Sequence, residues 1–514
     1  MRTAGPYATG VIIRLLALLG PLSAFGPEEN NGNFRRQIPR HPSDLQATTT
    51  PSGATVRYKE PSKYGLCETT PGVNSYSGFI NTSTTLHTYF WFFESRNDPE
   101  NDPIALWING GPGSDSLIGV FTGSGPCSIK EDGTTEINPL SWNNVSNVLY
   151  ISQPVGTGFS YAGLQEASID ELSGQFLNAS LANVTGIWPV VNETTIIDTT
   201  GDAVVAAWSY VQAFYSALTS INPKIKSKDF HLWTVSWGGH YGPAMFKYFK
   251  DQNEDIAAGN AGGTQINLRS LGLGNAYIDT AIQGPYFPEF ATKNTYNITA
   301  VEGPFRAVSG RDRFDIRLNQ SDSEYVKQET PLYAFLNQAE VQDALGVASN
   351  YTPEASPVTE AIGELVDAGV NVLLLNGDAD YACNWLGGEA VSLAVNYTGA
   401  EDFAATDYQP FVVGGRQYGQ VRQYGNFAFL RVYEAGHMVQ WNRPEAMLDF
   451  FNRTIHGIDV ATGLEDVSED PPTDTIFWHY LKPLHLVDTL NRTYIGQMKR
   501  LMLCSHLVCP VSGK

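Results

Sequence analysis

The sequence predicts an α/β fold, with a mostly parallel central sheet and helices on both faces. Three observations predict it: short apolar runs recur along the chain, helical patterns lie between several of them, and each run ends on glycine, asparagine or a residue capable of chemistry. The runs are "IALWI" (104–108), "NVLYIS" (147–152), "FHLWTV" (230–235), "SLGLG" (270–274), "NVLLL" (371–375) and "FLRVY" (429–433). Such solidly apolar runs suit strands buried on both faces. "DAVVAAWSYVQAFYSALTSI" (202–221) reads as an intervening helix, and "GFINTSTTLHTYFWFFES" (78–95) has hairpin character.

The 514 residues are enough for a large core. The start, with Arg2 and then "VIIRLLALLGPLSA" (11–24), reads as a signal peptide over residues 1–24. Residues 25–55 are polar and read as a leader or disordered segment, and residues 56–463 as the folded domain. Within that domain the pattern loosens at about 276–335, which reads as a lid insertion over the strand ends. Residues 464–514 form an atypical tail that opens on the acidic "EDVSEDPPTDT" and carries Cys504 and Cys509.

A net charge of −21 (32 basic against 53 acidic residues) excludes a nucleic-acid partner, whose phosphates need basic patches. No stretch beyond the N-terminus approaches the ~20 apolar residues of a membrane span. Eleven N-x-S/T sequons, from Asn81 to Asn491, fit an N-glycosylated, secreted protein, with vacuolar delivery as the alternative. The five cysteines match no common zinc spacing, so neither a metal nor another cofactor is expected.

The chemistry gathers at the strand ends. Ser236 follows "FHLWTV" and precedes Gly238, Gly239 and a helical pattern, the outline of a nucleophile elbow. A serine hydroxyl needs a base to take its proton, and a carboxylate to orient that base. Asp378 and Asp380 follow "NVLLL", and the pattern barely separates them. His437 follows "FLRVY" in the loop "EAGHMV"; His240 competes, but its place one turn into the helix after Ser236 suits packing better. Chain order Ser, Asp, His is that of the α/β-hydrolases. "WINGGPGSDS" (107–116) ends another run, and its successive glycines can present backbone N–H groups to an oxyanion. Gly111 and Trp237 are the expected donors. In an open α/β sheet these groups meet beyond the carboxyl ends of the strands.

The stretches "CETTPGVNSYSGF", "LWINGGPGSDSLIG", "INPLSWNNVSNVLYISQPVGTGFSYA", "WGGHYGPAMF", "GDADYACNWLGG" and "YEAGHMV" resemble the serine carboxypeptidases, the carboxypeptidase Y group, most closely its fungal carboxypeptidase S1 branch. The resemblance runs from about residue 58 to 460. It implies an α/β-hydrolase fold, a peptide or protein substrate, and Ser236, Asp380 and His437 as the triad, with Asp380 chosen over Asp378. It also implies Trp107, Asn109, Gly110, Cys383 and Met438 as substrate-binding residues, Cys383 being the family's unpaired thiol, and a candidate disulfide between Cys67 and Cys127.

Two positions depart from the family. Its elbow carries glutamate immediately before the serine, where this chain has Val235; a second family glutamate falls at Gly123. That pair shares a proton and helps bind the substrate's terminal carboxylate. The lid is also shorter than in related sequences. The expected function is therefore a serine-type carboxypeptidase with weakened carboxylate recognition. An acyltransferase or esterase of the same fold is the alternative, and a non-catalytic relic used for binding the next.

Overall fold

A computed structural model describes residues 45–467, apart from internal stretches at 170–175, 178–183, 192–194, 300–309, 324–330 and 352–365 and the single positions 196, 198, 367, 368 and 465. The segment expected as signal peptide, most of the leader and most of the tail, with Cys504 and Cys509, lie outside the described residues.

The first strands along the chain are β1 (Gln46–Thr49), β2 (Thr55–Lys59), β3 (Ser75–Asn81), β4 (His87–Phe93), β5 (Ile104–Ile108), β6 (Cys127–Ile129), β7 (Thr135–Ile137) and β8 (Asn147–Ile151). Then come β9 (Gly163–Ile169), β10 (Phe176–Leu177), β11 (Val184–Val190), β12 (Asp229–Val235) and β13 (Asn267–Gly274). The last are β14 (Asn371–Gly377), β15 (Gln409–Val413), β16 (Arg416–Tyr424) and β17 (Phe427–Val432). Twelve of them form one sheet in the order β1-β2-β3-β4-β8-β5-β12-β13-β14-β17-β16-β15.

The centre of this sheet, from β8 through β5, β12, β13 and β14 to β17, is parallel. Both flanks are antiparallel, so the sheet is mixed and its parallel part is the core of an α/β-hydrolase. Antiparallel neighbours need only short connections, as at Gly414-Gly415 between β15 and β16. Residues 46–49, read from sequence as leader, instead form the edge strand, paired from Gln46↔Tyr58 to Thr49↔Thr55. Strand pairing is a backbone property, and a polar edge strand carries little apolar signal.

Alternation along the strands divides the core. On β12, Phe230 and Leu232 face one side, with α2 (Thr200–Ile221) and α3 (Gly238–Ala257) packed there through Val211, Phe214, Met245 and Phe246. Trp233 and Val235 face the other, with Trp107, Trp142, Leu375, Phe450 and Phe451. Trp142 stacks on Phe451 at 4.1 Å and meets Trp107 and Trp233 edge-on at 5.2 and 5.1 Å. Thr199 caps α2, its hydroxyl accepting from the Asp202 N–H at 3.0 Å.

Strands β9, β10 and β11 form a separate three-stranded sheet, and Ile187 in it accepts from the Asn350 N–H at 2.7 Å. Asn350 itself is buried, and a Cβ on Gly186 would stand 2.3 Å from its Nδ2, so this sequon is closed in the folded chain. The sequons at Asn297, Asn319 and Asn396 are exposed. Within 276–335 the described residues include the helices Thr280–Gln283 and Tyr286–Thr292.

Cys67 and Cys127 are joined by a disulfide across a sequence separation of 60. Loop-closure entropy for that separation is worth about 4 kcal/mol. Cys67→Ser/Cys127→Ser is expected to lower the unfolding free energy by roughly this amount, read as a shift in the urea midpoint.

Candidate active site

Strand β12 ends at Val235 and α3 begins at Gly238, leaving two residues to reverse the chain. Ser236 takes the turn with φ 60°, a left-handed conformation that costs a non-glycine residue on the order of 1–3 kcal/mol. Three hydrogen bonds hold it: its N–H donates to Gly274 O at 3.0 Å, and its O accepts from the N–H groups of Gly239 (3.0 Å) and Tyr277 (2.8 Å). Gly110 lies against this elbow. A Cβ there would stand 2.4 Å from Val235 O and 2.5 Å from Trp237 N, so glycine is required.

The acid and the histidine arrive from the next parallel strands. Asp380, three residues past β14, is fully buried. His437, five residues past β17, places Nδ1 2.7 Å from Asp380 Oδ2. That oxygen also accepts from Asn275 Nδ2 (2.7 Å) and the Cys383 N–H (3.2 Å), while Oδ1 accepts from the Ala382 N–H (2.9 Å). An ionised Asp380 assigns the proton to His437 Nδ1 and leaves Nε2 free to act as a base.

One segment ties both loops together. The His437 N–H donates to Phe314 O at 2.7 Å, and the Phe314 ring lies 4.9 Å from the imidazole. Arg313 O accepts from the Tyr381 and Ala382 N–H groups, and the Ile316 N–H donates to Ala379 O. These residues fall within the stretch expected as a lid.

The competing candidates face elsewhere. Asp378 accepts from the Tyr296 hydroxyl, from Arg431 Nη2 (3.4 Å) and from the Glu434 N–H (2.8 Å). Burial raises its carboxyl above the ordinary range. His240 lies against the Trp237 ring at 4.4 Å, its ring nitrogens hydrogen-bond to no described residue, and it is pushed down to about 4 by burial.

Beyond β5, Trp107 Nε1 donates to Asn109 Oδ1 at 2.6 Å, and the Asn109 N–H donates to Ser116 Oγ at 3.3 Å. The Ser114 N–H reaches back to Gly110 O at 3.0 Å, and Thr157 Oγ1 donates to Gly113 O at 2.9 Å. The N–H groups of Gly111 and Trp237 have no acceptor among the described residues. Gly111 is exposed and Trp237 half-buried.

A family model described as serine carboxypeptidase matches residues 65–299 and 291–457. The chain belongs to the serine carboxypeptidase family. It is 34% identical to carboxypeptidase S1 homolog B of Arthroderma otae, over 81% of this chain and 78% of that one. It is 32% identical to carboxypeptidase S1 of Penicillium janthinellum, over 76% and 97%. Among solved structures it is similar to KEX1(DELTA)P, a prohormone-processing carboxypeptidase from Saccharomyces cerevisiae, with TM-score 0.59 and 18% identity over 77% and 95% of the two chains. That likeness carries the α/β-hydrolase fold.

In this serine carboxypeptidase, Val235 is buried on the same face of the sheet as Trp107 and Trp233. Gly123 has φ 107°, and a Cβ there would stand 2.4 Å from Gln440 O. The backbone just after His437 therefore occupies the space a larger residue would need at 123. Cys383 is buried, and burial, then the Asp380 charge, raise its thiol well above the ordinary range, with a contact from Ser236 opposing. Met438 is half-buried one residue past His437. Asp380, Cys383 and His437 offer donor atoms within 4.8 Å of one another. Yet the first and last are bonded to each other, and a thiol held protonated is a poor ligand.

Sequence reasoning missed Asn275, whose only signal is its place directly after "SLGLG". A hydrogen bond to a charged group is worth about 1.5–3 kcal/mol. Asn275→Ala is expected to lower kcat about ten- to a hundredfold with KM nearly unchanged, measured on a blocked dipeptide.

Proposed function

We propose that this chain is a serine-type carboxypeptidase in which Ser236 is the nucleophile, His437 the base and Asp380 the residue that orients it. The observation that carries the reading is the buried Asp380–His437 pair at 2.7 Å, with both Asp380 oxygens hydrogen-bonded, together with an elbow serine. His437 Nε2 takes the proton of Ser236 Oγ as the new Oγ–C bond forms. The oxyanion settles between the Gly111 and Trp237 N–H groups. The intermediate collapses, His437 gives its proton to the leaving amine, and water repeats the sequence on the acyl-enzyme. No hydrogen bond joins Ser236 to His437 among the described residues; contacts of this kind commonly tighten only in the substrate complex. Trp107, Asn109, Gly110, Cys383 and Met438 line the substrate side. The exposed sequons support N-glycosylation and delivery to the exterior or the vacuole.

Recognition of the substrate's terminal carboxylate is weakened. Neither Val235 nor Gly123 can share a proton with it, which leaves Asn109 and the backbone of the turn. Transfer of the acyl group to an alcohol or amine is the second reading, favoured by these same two positions; added nucleophiles would then give esters or amides.

Two measurements test this. Ser236→Ala should lower kcat on the order of 10⁶-fold and abolish fluorophosphonate labelling. Wild-type protein should prefer a blocked dipeptide acid over its C-terminal amide by no more than about tenfold in kcat/KM. A preference beyond about a hundredfold would show that another group performs carboxylate recognition.

A further inference from the structure

Asp115 sits one residue past Ser114 and one before Ser116, the two residues that fasten the turn through Gly110 O and the Asn109 N–H. Its side chain is fully buried. Among the described residues it has no ion-pair partner, and neither carboxyl oxygen makes a hydrogen bond of good geometry. The hydroxyls of Ser152 and Tyr351 and the N–H groups of Ser116 and Leu117 face it. Tyr89 approaches from β4, and Gly158 closes over the carboxyl so tightly that a Cβ there would stand 2.7 Å from Asp115 Oδ2. Tyr89 and Tyr351 are the titratable groups facing it, and both phenols are neutral in acid. These four hydroxyl and N–H donors offset only part of the cost of burying a charge with no cation beside it, whereas a carboxylic acid carries no charge to bury.

We propose that Asp115 is a positioning residue of the Gly110–Ser114 turn that serves as an uncharged carboxylic acid, the turn losing its arrangement when this side chain ionises. Burial holds the group at about 6, above the ordinary carboxylate value of 3.8. The sign follows from linkage: the contribution to stability is complete below the ordinary value and is lost as pH rises through the raised one. The chain lacks the family's glutamate pair at Val235 and Gly123, and Asp115 supplies a different acid-dependent element beside the same turn. The kinetic part of the inference rests on the reading of Gly111 as an oxyanion donor; the stability part does not.

The test compares wild type with Asp115→Asn, a neutral isostere, and with Asp115→Ser, using thermal melts and kcat/KM on a blocked dipeptide between about pH 4.5 and about pH 7.5. Near the acid end kcat/KM of the variants should match wild type within about twofold. Near the neutral end Asp115→Asn should exceed wild type in kcat/KM by about tenfold or more. Its unfolding equilibrium constant should there be lower on the order of a hundredfold. Stability that follows the expectation while activity does not would leave Asp115 as a stability element and overturn its positioning role. Variant profiles that superimpose on wild type would overturn the whole inference. So would failure of both variants to fold, because the neutral form is held to be the native one.

Discussion

A carboxylate removed from water must have its lone pairs met by donors, and Asp380 imposes that demand at the centre of the site. Its four donors come from three places: Asn275 after β13, the amides of Ala382 and Cys383 in its own loop, and His437 after β17. Because β13, β14 and β17 are parallel neighbours, their ends emerge side by side and these groups converge without long excursions. The imidazole is oriented by the same requirement, since satisfying Asp380 fixes Nδ1 as the donor.

The parallel centre of the fold was legible because strands buried on both faces leave continuous apolar runs. The residues ending those runs, such as Ser236, Gly110 and His437, were readable as candidates for the same reason. Asp378 and Asp380 were not separable by pattern, since both end one strand. What distinguishes them lies far away in sequence: Tyr296 and Arg431 hold Asp378, and Asn275 and His437 hold Asp380. The edge strand at 46–49 and the sheet of β9, β10 and β11 escaped notice because backbone pairing and a polar surface leave weak periodicity. The role of residues 313–316 escaped because it is carried by main-chain groups.

Strand alternation sets the surroundings of Val235. The position before Ser236 points to the face that holds Trp107 and Trp233, so a valine there joins an aromatic core. At Gly123 the approach of the Gln440 carbonyl leaves no room for a side chain. The two departures are therefore built into the packing, and one glutamate restored alone would meet either an apolar wall or a backbone oxygen. Such a carboxyl would lack its proton-sharing partner, the arrangement least favourable for a buried charge.

The segment Arg313–Ile316 bonds to the loop of Asp380 and to the loop of His437 at once. Neither loop can open without breaking main-chain hydrogen bonds to the same short stretch. Main-chain bonds to one shared stretch couple the opening of the two arms of the site. Disturbance of one arm therefore reaches the other through this main chain as well as through the Asp380–His437 pair.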